Sequence, residues 1–138
     1  MKKSVWVIDD DEIYQLIIKK LIRRSEVFEE QLYFRSAREV LEQLDSSQVF
    51  LPDVILLDIN MPMLDGWQFI DKLKSRYEDF SCRTTIYIVS SSIAYSDRER
   101  AERYPEVSGF ISKPMTVEKL RNIGEAIHKK KPGVGTKL

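Results

Sequence analysis

Four consecutive apolar residues, Val54-Ile55-Leu56-Leu57, run without a polar interruption and stop at an acid, Asp58. A strand with one wet face alternates polar and apolar side chains, so an unbroken run predicts a strand covered on both faces. That demand points to a parallel sheet flanked by helices, and it narrows the fold more than any other feature. The remaining strand candidates agree with it. Val5-Trp6-Val7-Ile8 ends at Asp9-Asp10-Asp11, and Thr85-Ile86-Tyr87-Ile88-Val89 ends at Ser90-Ser91-Ser92. Leu32-Tyr33-Phe34 and Gly109-Phe110-Ile111 are shorter candidates.

Helix-period segments fill the gaps. Ile13, Leu16, Ile17, Lys20 and Leu21 carry the spacing of an amphipathic helix. Ser36, with Glu39 three residues on, reads as an N-cap and capping box ahead of Ala37, Val40, Leu41 and Leu44. Asp65 can cap a helix through Trp67, Ile70, Leu73 and Lys74, and Ser96 opens a charged helix with Arg98, Glu99, Arg100, Glu102 and Arg103. Thr116 caps the last helix, with Val117, Leu120, Ile123 and Ile127 on its apolar side and Lys119 where a capping box would have Glu. Five strands alternating with five helices predict an α/β fold, a doubly wound five-stranded parallel sheet with right-handed crossovers. The chain of 138 residues suits one domain, placed at 1–130, with 131–138 a basic, disordered tail and no attached effector domain.

Composition removes several functions. Lys plus Arg and Asp plus Glu both number 22, so no global charge draws the chain to nucleic acid or membrane. Neither direct DNA binding nor membrane association is expected. The lone cysteine, Cys82, excludes an internal disulfide and fits a reducing, cytoplasmic setting. The N-terminus has no signal-peptide pattern, and no run reaches the roughly 18 apolar residues of a membrane span.

In open α/β sheets, sites form beyond the carboxyl ends of the strands. The residues there are Asp9, Asp10 and Asp11, then Asp58 and Asn60, then Ser90, Ser91 and Ser92, then Lys113 before Pro114. Crowded carboxylates repel one another unless a cation intervenes, and a small hard ion such as Mg²⁺ (or Mn²⁺) takes oxygen ligands. Asp9, Asp10 and Asp58 supply such a field. Asp10 or Asp11 can equally cap the first helix, where negative charge is favoured. Asp58 is the candidate nucleophile, since a carboxylate can attack a phosphoryl group. A solvated strand-end aspartate is the ordinary alternative, and the apolar run before it argues against a loose loop. Ser90 offers a hydroxyl and Lys113 a compact cation that can neutralise Asp58 or a phosphate on it. Each is weak alone, and their strength lies in meeting at one sheet edge.

The segments Val7-Ile8-Asp9-Asp10-Asp11, Leu56-Leu57-Asp58-Ile59-Asn60-Met61-Pro62, Leu64-Asp65-Gly66, Val89-Ser90 and Gly109-Phe110-Ile111-Ser112-Lys113-Pro114, in this order, resemble bacterial response-regulator receiver domains. The resemblance covers essentially the whole chain and implies a flavodoxin-like, CheY-like sheet in the order 2-1-3-4-5. It implies that Asp58 accepts a phosphoryl group, that Asp9, Asp10, Asp58 and the backbone carbonyl of Asn60 hold Mg²⁺, and that Lys113 contacts the phosphoryl group across a cis Lys113-Pro114 bond. Ser90 and Phe110 become the switch pair, and Phe110 lacks the ring hydroxyl of the commoner tyrosine. Asn60 and Ser92 fall where dephosphorylation is tuned. The implied partners are a sensor histidine kinase or a histidine phosphotransfer protein and a downstream protein effector, read through the fourth helix, fifth strand and fifth helix. The chain is then a monomer or a phosphorylation-dependent dimer, and a switch rather than an enzyme. Departures from the family pattern are the third acid Asp11, the Arg103-Tyr104-Pro105-Glu106-Val107 segment, which should end the fourth helix early, and the long link from Ser75 to Thr84.

Three other readings compete. A haloacid-dehalogenase-like phosphatase also has a strand-end Asp, a hydroxyl, a Lys and two acids, but it calls for Asp-x-Asp where this chain has Asp58-Ile59-Asn60. A pseudo-receiver would keep the fold and never take phosphate. A flavodoxin-like electron carrier is disfavoured by three acids where a phosphate cradle would sit.

Overall fold

The structure is a computed structural model that describes residues 3–46, 50–91 and 94–129. Strands β1 (Ser4–Ile8), β2 (Glu30–Phe34), β3 (Val54–Leu57), β4 (Thr85–Ser90) and β5 (Val107–Ser112) alternate with helices α1 (Glu12–Ser25), α2 (Ala37–Asp45), α3 (Gly66–Arg76), α4 (Tyr95–Ala101) and α5 (Val117–Lys129). The strands form one sheet in the order β2-β1-β3-β4-β5, and every pairing is parallel. No helix among the described residues is long and apolar enough to cross a membrane.

The unbroken apolar run of β3 is explained by two cores. Ile55 and Leu57 point into one with Trp6 and Ile8 of β1, against α2 and α3. Val54 and Leu56 point into the other with Val5 and Val7, against α1 and α5. All four β3 side chains are buried, and burying each contributes roughly 1.5–3 kcal/mol.

Caps set the helix ends. Asp11, the third acid, caps α1 by accepting from the backbone N–H groups of Ile13 and Tyr14 at 2.9 and 3.1 Å. Ser36 caps α2, but Glu39 does not close the predicted box: its carboxylate accepts from the Arg35 N–H, one residue further back. Asp65 and Gln68 do form a reciprocal box on α3. Thr116 accepts from the Lys119 N–H, and the Lys119 ammonium covers the carbonyls of Ser112 and Pro114.

Two further expectations are corrected. The stripe Ile13, Leu16, Ile17 is not the buried face of α1, since these residues are 70%, 63% and 50% exposed. Tyr14, Ile18, Ile22 and Ser25 are buried instead. The cap on Asp11 fixes the phase of the helix, and that phase turns the second apolar stripe toward the sheet and α5. Ser96 does not open the fourth helix, which starts at Tyr95, with the Asp97 carboxylate accepting from the Ala94 N–H at 3.3 Å. α4 does end early. Pro105 disfavours helical backbone at Tyr104, and Tyr104 turns in to stack on Trp67, ring centroids 4.9 Å apart. A single 3₁₀ turn, Phe80–Cys82, sits in the link before β4 and buries Phe80. The proposed tail, 131–138, lies outside the described residues.

Candidate phosphoacceptor site

The sheet order reverses between β1 and β3, so a crevice opens beyond their carboxyl ends. Three site residues are fixed there by one backbone bond past a strand end. The Asp9 N–H donates to the Phe34 carbonyl, the Asp58 N–H to the Ile8 carbonyl, and the Lys113 N–H to the Ser90 carbonyl, each at 3.0 Å. Gln15 reinforces the first by donating to the carbonyls of Asp9 and Phe34. The Lys113–Pro114 peptide bond is cis. Beyond Asp58 the chain doubles back, and the Gly66 N–H returns to the Ile59 carbonyl. A Cβ on Gly66 would sit 2.7 Å from the Ile59 Cα, so only glycine lets the loop close this tightly.

Asp9 and Asp58 are buried and Asp10 is exposed. One carboxylate oxygen from each lies within 4.8 Å of the others. Burial pushes the Asp58 carboxyl above the ordinary carboxylate range. The Asn60 N–H, donating to Asp58 Oδ1 at 3.0 Å, opposes that, Asp9 and Asp10 add to it, and Lys113 opposes it. Asp9 Oδ1 accepts from the Asp11 N–H at 2.9 Å. Lys113 is the candidate cation for Asp58 or a phosphate on it; its Nζ pairs with Asp9 Oδ2 at 2.9 Å and its charge also acts on Asp58. Two buried acids compete for one ammonium, and the nearly enclosed Asp9 takes it. Ser90 is buried and receives a long hydrogen bond, 3.4 Å, from the Asn60 side-chain amide, so Asn60 links the Asp58 loop to the end of β4.

Asp9, Asp10, Asp58, Asn60, Ser90 and Lys113 are thus brought together. Phe110 is not. It is half-buried at the edge of one core, with the Arg98 guanidinium 5.3 Å from its ring centroid. Ser92 lies outside the described residues. Sequence reasoning missed Tyr14, whose ring lies 4.0 Å from the Lys113 ammonium. The available signal was its spacing with Ile18 and Ile22, i, i+4 and i+8 from the first turn of α1.

The acidic trio suits a small hard cation. Its donors are oxygens, two of the three are buried, and the charges of Asp9 and Asp10 both raise the proton affinity of Asp58.

Comparison with known proteins decides the family. Residues 5–125 match the response regulator receiver domain. The chain belongs to that family. The receiver domain is 32% identical over 117 residues to the polar-differentiation response regulator DivK of Brucella ovis, a match covering 85% of this chain and 89% of DivK. It is 37% identical over 76 residues to the DNA-binding transcriptional regulator NtrC of Proteus hauseri, where the match spans 55% of this chain and only 15% of that protein. Among solved structures, a two-component response regulator from Cytophaga hutchinsonii superposes with a TM-score of 0.83 at 29% identity, covering 93% of this chain and 98% of the other.

Proposed function

We propose that this receiver domain is a phosphorylation-driven switch whose acceptor is Asp58. The observation that carries the reading is the meeting, at one sheet edge, of a buried Asp58 carboxylate with two more acids within 4.8 Å and a lysine already bound to that cluster. The donor is a phosphohistidine on a sensor kinase or phosphotransfer protein. An Asp58 carboxylate oxygen attacks phosphorus in line as the bond to the donor imidazole nitrogen breaks, and the electron pair leaves with the imidazole. Asp9, Asp10, Asp58 and the Asn60 carbonyl would hold Mg²⁺ or Mn²⁺, which when bound offsets charge on the transferring group. Lys113 exchanges its Asp9 partner for a phosphoryl oxygen, which its flexible stem and three donors allow.

The product adds negative charge and acceptor oxygens at the strand ends. Ser90 donates to one of them, and Phe110 turns into the space vacated. The α4-β5-α5 face is then altered for a protein effector. The setting is cytoplasmic, and the only chemistry is self-phosphotransfer and loss of the phosphoryl group.

Incubation with acetyl phosphate, or with beryllofluoride, in the presence of Mg²⁺ tests this. Wild type takes up one phosphoryl equivalent from acetyl phosphate, and its amide NMR spectrum changes with either reagent, while Asp58→Ala does neither. An unchanged wild-type spectrum would make the domain a pseudo-receiver, and steady turnover of a phosphate ester would make it a phosphatase.

A further inference from the structure

The roles above leave one buried polar group of the site unused. Tyr14, the third residue of α1, is 9% exposed and packs in the core that holds Ile18, Val89 and Met115. Its ring carries the Lys113 ammonium at 4.0 Å from the centroid, and that ammonium is 2.9 Å from Asp9 Oδ2. The cation is therefore held between an aromatic face and a carboxylate. The Tyr14 hydroxyl is itself buried, and among the described residues nothing hydrogen-bonds to it. Burial, then the negative charges of Asp9 and Asp58, push its pKa well above that of an ordinary phenol. It remains a protonated donor across the physiological range, within the field of both buried acids.

A ring at this position needs no oxygen. Phenylalanine would pack against Ile18 and hold an ammonium by the same quadrupole. The oxygen costs stability while it has no partner, because buried donors and acceptors in native proteins are nearly always paired. The ammonium over its ring is paired with Asp9, a member of the acidic cluster, whose occupant would bring oxygens with it.

We propose that Tyr14 is a further ligand-contacting residue of the site. Its hydroxyl donates a hydrogen bond to an oxygen that arrives with the occupant, either a water on the cation or an oxygen of the phosphoryl group. Its ring keeps the Lys113 ammonium over the acids. This rests on Asp58 being the phosphoacceptor.

The hydroxyl is then unpaired under chelator and paired on loading, which separates it from a tyrosine that merely fills space. Thermal unfolding of the full chain is measured with a chelator, with Mg²⁺ alone, and with Mg²⁺ plus beryllofluoride. The proteins compared are wild type, Tyr14→Phe and Tyr14→Leu. With chelator, Tyr14→Phe unfolds at or above the wild-type temperature. On loading it gains less than wild type, by about 3 °C for one hydrogen bond in a domain of this size. A deficit already present with Mg²⁺ alone assigns the acceptor to a cation-bound water. A deficit appearing only with beryllofluoride assigns it to a phosphoryl oxygen. Tyr14→Leu, which removes the ring as well, gains less again. Equal gains for wild type and Tyr14→Phe in both loaded conditions overturn the proposal. A wild type that beryllofluoride does not shift overturns the reading of Asp58 instead, and this proposal with it.

Discussion

Burial and two neighbouring acids act on Asp58 in the same direction, and the direction has a consequence for folding. A carboxyl whose folded pKa lies above its unfolded value binds protons more readily in the folded state. The stability it contributes is present below the unfolded value of about 3.9 and is lost as pH rises through the folded value. At neutral pH, without a cation, Asp58 therefore opposes folding. Asp58→Asn keeps the acceptor for the Asn60 N–H and removes the charge, so under chelator at pH 7 it should unfold at a higher temperature than wild type. The gap should close as pH falls through the carboxylate range. Calorimetry across pH checks this, and a gap that is absent or independent of pH would refute it. Asp9, Asp58, Ser90 and Lys113 were legible as site residues because each follows an apolar strand, and parallel sheets gather strand ends along one edge. The partner of Lys113 was not legible. Asp9 is the more deeply buried of the two acids, and burial of that kind is not written in local spacing.

α1 and α2 show when helix periodicity decides a buried face and when it does not. In α2 the apolar residues Ala37, Val40, Leu41 and Leu44 form a single stripe, the other positions are polar, and all four are buried as expected. α1 carries two neighbouring apolar stripes, Ile13-Leu16-Ile17 and Tyr14-Ile18-Ile22. Spacing supports both, and only the Asp11 cap and the packing of α1 on α5 choose between them. The same ambiguity hid Tyr14 from the site. Because the choice is physical, it can be measured. Ile18→Ala should cost about 2–5 kcal/mol, as expected for a fully buried aliphatic side chain. Ile13→Gln and Leu16→Gln should each stay within about 0.5 kcal/mol of wild type. Urea denaturation of the three variants tests the orientation of α1, and the reverse pattern would restore the other stripe as the buried face.

Across the whole molecule, the site gathers at the strand ends, and the proposed output face begins at β5, whose end carries Lys113. The strand alternation and the five helices followed from the sequence pattern. The order 2-1-3-4-5 came with the family resemblance, because periodicity shows which faces are covered and is silent on which strands are neighbours. α4 is the least predictable element. It is seven residues long, buries none of them, and is held largely from outside. The Trp67 indole donates to Asp97 Oδ1 at 3.4 Å, the Arg100 guanidinium lies 5.5 Å from the Trp67 ring, and Tyr104 stacks on that ring and donates to Asp71. Trp67 on α3 thus grips α4 by two side chains and the turn after it by a third. An element with so little burial of its own shifts at small cost. If loading at Asp58 moves α4, the polar and charged groups around the indole must move with it. Beryllofluoride with Mg²⁺ should then change Trp67 emission. Trp6, buried between strands and edge-on to Phe34 at 5.3 Å, should stay silent. The change should survive Trp6→Phe and vanish in both Trp67→Phe and Asp58→Ala. Emission that stays constant while the unfolding temperature rises would mean that the domain is loaded without α4 leaving its grip, and the readout would have to run through β5 and α5 alone.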